Sequence, residues 1–210
     1  MAPQPTGDEN ERSAWEFGLL GQNAFNWILS GSALLAAAEL SLDRFAAALR
    51  LQEELFRRDA AGLMSAIGRR LTQEEVDLLP DVQLGPVALM LLGFGIENWA
   101  KGLMVHSDPS LVRASDGVAP PLKDHGLERL ARACGQIVDA EEERALRRIS
   151  QYTIWAGRYP IPTKPLSPVS PGDAAAFADQ SSIVWLWERG QGVVGRLRNK
   201  IQEEFPHAAV

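Results

Sequence analysis

The chain has 210 residues, which suits one domain with a substantial core. Hydrophobic residues make up 46% and charged ones 23%, the mix of a globular protein, while a formal net charge of −6 disfavours extended nucleic acid as a partner. The one cysteine, Cys134, excludes an intramolecular disulfide and leaves no cysteine-built metal site.

Residues 1–12 are rich in Pro, Gly, Asp and Glu, lack the apolar core of a signal peptide, and are expected to form a disordered arm. A single helical-bundle domain is expected over 13–206. From Ala14, apolar residues recur at steps of three and four: Leu20, Ala24, Trp27, Ile28, Leu35, Ala38 and Leu42. Phe45, Ala48, Leu49 and Phe56 continue the stripe toward an end near Arg57 and Arg58. One bent helix or two are expected, with Gly31 and Ser32 as the loose point. A short helix is expected over 61–71, and Thr72 with Glu75 then reads as a capping box before Pro80.

Gly85 and Pro86 open the most apolar helix, in which Val87, Met90, Leu91, Phe94 and Val105 supply the apolar face and Leu89, Leu92 and Ile96 widen it almost all round. It is expected to be central. Its longest apolar run, 87–96, is too short to span a bilayer, so a cytoplasmic chain with no membrane contact is expected. Residues 107–123 read as a loop. A short helix follows from Gly126 to Cys134, with Gly135 as its stop. Asp139 caps the next helix, whose first turn carries Glu141, Glu142 and Glu143, and which stops near Gly157. Pro162, Pro165, Pro168 and Pro171 fall every third residue, the period of polyproline II. They are expected to form an extended strap along the bundle, with an exposed ligand for an SH3- or WW-like partner as the alternative. Ser170 is placed as the cap of the last helix, with Leu186, Val193, Val194, Leu197 and Ile201 on its inner stripe. The fold class is therefore all-α: an antiparallel bundle of about five main helices with a Pro-rich strap before the last. Trp185 and Trp187, two apart on that helix, are expected to diverge, one of them reaching a partner in a homodimer.

His106, His125 and His207 lie far apart, with no zinc-binding spacing, and the sequence holds no phosphate-binding loop and no nucleophile elbow. No metal or cofactor is expected. Gly93 and Gly95 inside the apolar helix read as close helix packing. Glu97, Asn98 and Lys101 are the odd residues of that helix. Glu97 and Lys101 are spaced to pair, either on a solvent-facing side or in a polar cleft. In the cleft reading Arg158 and Tyr159 are the added partners, because guanidinium can bind a carboxylate through two parallel hydrogen bonds. His125 joins the candidate site, although its place beside Asp124 at a helix start also suits a simple capping role. Cys134 reads as a buried, inert thiol.

Three segments together resemble the HEPN-like helical families of prokaryotes: GFGIENWAKGLMV at 93–105, KDHGLERLARACG at 123–135 and ISQYTIWAGRYPIP at 149–162. The resemblance implies a bundle of four or five helices, often dimeric, among relatives that include RNA-cleaving toxins, defence components and non-catalytic members. Its ribonuclease members carry an Arg followed by His after four to six intervening residues. No His of this chain follows an Arg at that spacing, so no catalytic residue carries over. The expected function is a non-catalytic HEPN-like binding or assembly module in a prokaryotic stress, toxin–antitoxin or defence system. It would be a homodimer through the last helix, with a protein or small nucleotide as possible partner. The alternative is an RNA- or nucleotide-directed enzyme whose atypical site uses Glu97, Lys101, His125 and Arg158.

Overall fold

The computed structural model describes residues 9–62, 72–113, 117–156 and 180–207. The helices are α1 (Glu9–Gln22), α2 (Ala24–Gly62), α3 (Gln73–Leu78), α4 (Leu84–Ser107), α5 (Leu127–Ala133), α6 (Ala140–Gln151) and α7 (Gln180–Glu204). The fold is an all-α bundle. Among the described residues the sole sheet is a two-residue antiparallel ladder that pairs Val112 with Val118 and Arg113 with Gly117.

Helix α1 starts at Glu9, inside the segment expected to be an arm. The chain breaks not at Gly31 but at Asn23, whose side chain accepts a hydrogen bond from the backbone N–H of Phe25 at 3.1 Å. That is an N-cap on the second residue of α2, and Asn is among the best residues for it. From there α2 runs unbroken past Arg57 and Arg58 to Gly62. The rest of the short helix expected at 61–71, the Pro-rich strap and the Ser170 cap lie outside the described residues.

Helix α4 is the hub, packing against α2, α5, α6 and α7. Its almost uniformly apolar surface leaves it no other stable place. Leu89, Leu92, Ile96, Trp99 and Leu103 join Ile28, Leu35 and Phe45 of α2 in the main core, with Leu146 and Ile149 of α6 and Val193, Leu197 and Ile201 of α7. Helix α6 starts with a full capping box between Asp139 and Glu142. Its C-terminal extension, Tyr152–Ala156, winds as a π-helix. Gly135, at φ 78°, closes α5 in the left-handed region, where a side chain would be strained. Trp185 and Trp187 do not diverge into core and solvent. Both are half-buried against the main core, because they flank the buried Leu186 on either side.

The contact between α2 and α4 depends on small residues. A Cβ on Gly31 would lie 2.4 Å from Trp99 Cδ1, and one on Gly95 would lie 2.6 Å from Leu35 Cγ. Trp99 is buried in this crossing, and its indole N–H reaches the Ile28 carbonyl at 3.0 Å and the Ser32 hydroxyl at 3.2 Å. Gly31→Ala is expected to destabilise by ~1–3 kcal/mol through overpacking. Gly195 of α7 is a control: a Cβ there meets nothing within 4 Å. Gly195→Ala is expected to stabilise by ~0.4–1 kcal/mol, because alanine restricts the unfolded chain. Urea midpoints moving in opposite directions for the two variants would check both.

Candidate functional site

The central position of α4 takes Glu97 and Lys101 out of water. Both are buried, and Lys101 Nζ donates to Glu97 Oε1 at 2.6 Å. The same oxygen lies 3.0 Å from His125 Nδ1. A carboxylate only accepts, so Nδ1 carries the proton in this contact. Glu97 Oε2 is buried and has no hydrogen-bond partner among the described residues. The imidazole, 58% exposed, is the one member of the trio that solvent reaches.

The turn that presents His125 is itself braced. Asp124 Oδ1 accepts from the Gly126 N–H at 2.9 Å, and Arg129 Nε donates to Asp124 Oδ2 at 2.6 Å. The Arg129 guanidinium holds the Asp124 carboxyl down at about 2, against the opposing effect of burial and with help from the Gly126 N–H. Asp124 thus fixes the entry to α5 through Arg129 and an Asx-type turn, while the first residue before the helix is Gly126. On the far side of the turn Leu127 N–H donates to Ser150 Oγ at 3.0 Å, tying α5 to α6.

Of the residues singled out in the sequence, Glu97, Lys101 and His125 come together. The Glu97–Lys101 pair is not the solvent-facing pair that its spacing also allowed. Asn98 points elsewhere: its amide donates to the Phe94 carbonyl at 2.8 Å, and the residue lines a separate groove between α1 and α2. One residue along a helix is about a quarter-turn or more, so neighbours in sequence part company in space. Arg158 and Tyr159 lie outside the described residues. Among the described residues no three His, Cys, Asp or Glu side chains meet as a metal-binding group.

The groove that Asn98 lines encloses about 680 Å³ and is walled by Phe17, Leu20, Trp27 and Leu29. Leu20 and Trp27 belong to the stripe expected to face inward, yet Leu20 is 60% exposed and Trp27 only half-buried here, because α1 does not pack into the main core; Phe17 and Leu29 lie off that stripe. A smaller cavity of about 230 Å³ touches Leu103, Met104, Cys134 and Lys200. Cys134 is buried, with its thiol 3.2 Å from the Ala100 carbonyl. Burial pushes that thiol up to about 11, with Lys200 opposing.

No family model matches this chain, and no curated protein or solved structure matches it.

Two measurements test the electrostatics. Lys101→Ala leaves a buried carboxylate with only a half-exposed imidazole, and is expected to destabilise by ~3–5 kcal/mol. Joint replacement as Glu97→Gln with Lys101→Met is expected to cost less than Lys101→Ala alone, and His125→Ala under ~1 kcal/mol. Denaturant unfolding of the set checks this, and equal costs for Lys101→Ala and His125→Ala would refute it. Separately, only a thiolate alkylates. In the native protein Cys134 is expected to resist iodoacetamide at pH 8, to gain reactivity as pH rises toward about 11, and to react at once on unfolding. Mass spectrometry of timed samples reads the result.

Proposed function

We propose that this chain is a non-catalytic binding and assembly module of the HEPN-like helical type, working in a prokaryotic stress or defence setting. One observation carries the reading: a contiguous apolar face left open by α1 and α2. Phe17 is 46% exposed, Leu20 60%, Leu29 47% and Leu40 69%. Large apolar residues gathered on one face of a folded domain mark a surface that binds something. The polar trio supports the same reading from the other side. Lys101 pairs with one oxygen of Glu97 in the interior, and together with His125 on that same oxygen the three act as a latch between α4 and the turn before α5.

A second reading rests on the Glu97–His125 contact. A carboxylate on Nδ1 orients an imidazole so that Nε2 can take a proton as a general base. An RNA- or nucleotide-directed enzyme would use His125 in this way, with Arg158 as the anion-binding partner.

Incubation of the purified protein with RNA oligonucleotides and with nucleoside mono-, di- and triphosphates separates the two. No turnover is expected. Metal-independent cleavage that disappears in His125→Ala, with helicity unchanged, would overturn the assembly reading in favour of the enzyme.

A further inference from the structure

We infer that the cavity where α4, α5 and α7 meet is a binding site for a small monocarboxylate with an apolar body, about the size of benzoate, held through its carboxylate by Lys200. The inference stands apart from the assembly reading and uses none of the Glu97, Lys101 and His125 trio.

The cavity encloses about 230 Å³. Its inner end is apolar. Leu103 of α4 and Cys134, which ends α5, are buried there, and Met104 and Leu111 are half-buried beside them. Ser107 and Ala133 line it as well, and both are exposed, so the cavity opens to solvent past them. The one charged side chain on its lining is Lys200.

The position of Lys200 is fixed. It is half-buried on α7, and its ammonium donates to the Cys134 carbonyl at 2.7 Å. That bond caps the last turn of α5, where the helix dipole favours a positive charge. Capping uses one of the three ammonium donors. Among the described residues Lys200 forms no ion pair, and Glu204, one helical turn on, faces His106 at 3.5 Å. The dipole amounts to roughly half a charge, so the ammonium on the cavity wall stays incompletely balanced. The Ser107 hydroxyl donates to the Leu103 carbonyl at 3.0 Å, which leaves recognition of an acceptor to Lys200.

Size and charge select the ligand. An apolar cavity of about 150 Å³ holds benzene. The space here takes such a ring and leaves room for one carboxylate. A single ammonium balances a carboxylate, whereas the second charge of a phosphate monoester would be left against apolar walls. Water is the competing occupant. It fits the inner end poorly, because the walls there offer carbon and a thiol already turned to the Ala100 carbonyl.

Methyl NMR of the methionines in the full chain tests the site, because Met104 lines the cavity and its signal is identified by its loss in Met104→Leu. Benzoate is expected to shift the Met104 methyl saturably, with a Kd on the order of 1 mM. Benzamide has the same shape without the charge, and is expected to bind at least ~10-fold more weakly. Lys200→Met keeps an apolar stem and is expected to lower benzoate to the level of benzamide. Ala133→Phe, at an exposed position, is expected to block both ligands with an unchanged helical circular-dichroism spectrum. A Met104 methyl unmoved by ~20 mM benzoate overturns the inference and leaves water as the occupant. Equal affinity for benzoate and benzamide also overturns it, and that comparison needs no variant. A folded Lys200→Met protein with wild-type benzoate affinity does the same. RNA or nucleotide turnover would defeat the assembly reading and leave a Lys200-dependent benzoate site intact.

Discussion

The close approach of α2 and α4 at Gly31 and Gly95 is the constraint on which the rest of the molecule depends. With no side chain at either crossing point, the Trp99 indole can lie between the helices and still reach the Ile28 carbonyl and Ser32 hydroxyl. A buried indole N–H without a partner would cost about as much as the packing gains. The crossing satisfies both demands at once, and it sets the position from which α4 meets α5, α6 and α7.

The polar trio follows from that position. A helix enclosed on several sides must bury whatever polar residues it carries, and a buried charge survives only beside an opposite one. Lys101 sits one turn from Glu97 and neutralises it, and His125 approaches the same carboxylate oxygen from the turn before α5. The arrangement therefore ties a surface turn to the central helix. Its external outlet is one imidazole, which suits a latch and leaves chemistry to a single group.

Helix α2 divides its labour differently. Its inner face packs on α4, the distal part of its outer face is charged, and the proximal part of that face is apolar and open. A lone domain gains nothing from displaying Leu29 and Leu40 to water, at roughly 25 cal/mol for each Å² left exposed.

Local signals in the chain were enough for the all-α fold, the central helix, the Asp139 cap, the stop at Gly135 and the packing role of Gly93 and Gly95. Each depends on a few neighbouring residues: a period of three and four, a capping side chain, a glycine where φ is positive. The break at Asn23 was as local, but Gly31 drew attention first, because a glycine inside a helix reads as weakness until the helix it touches is known. The candidate site was only half legible. Glu97 and Lys101 are one turn apart, so their pairing is written in the spacing, whereas their burial and the arrival of His125 depend on how α5 docks against α4. The parting of Asn98 from Glu97 depends on which elements occupy each side of α4. Sequence alone determined which faces are apolar, because periodicity is a property of a single helix. Only the tertiary structure decided which of those faces is covered, because burial belongs to pairs of helices, and among the described residues α2 has one apolar face packed on α4 and another left open.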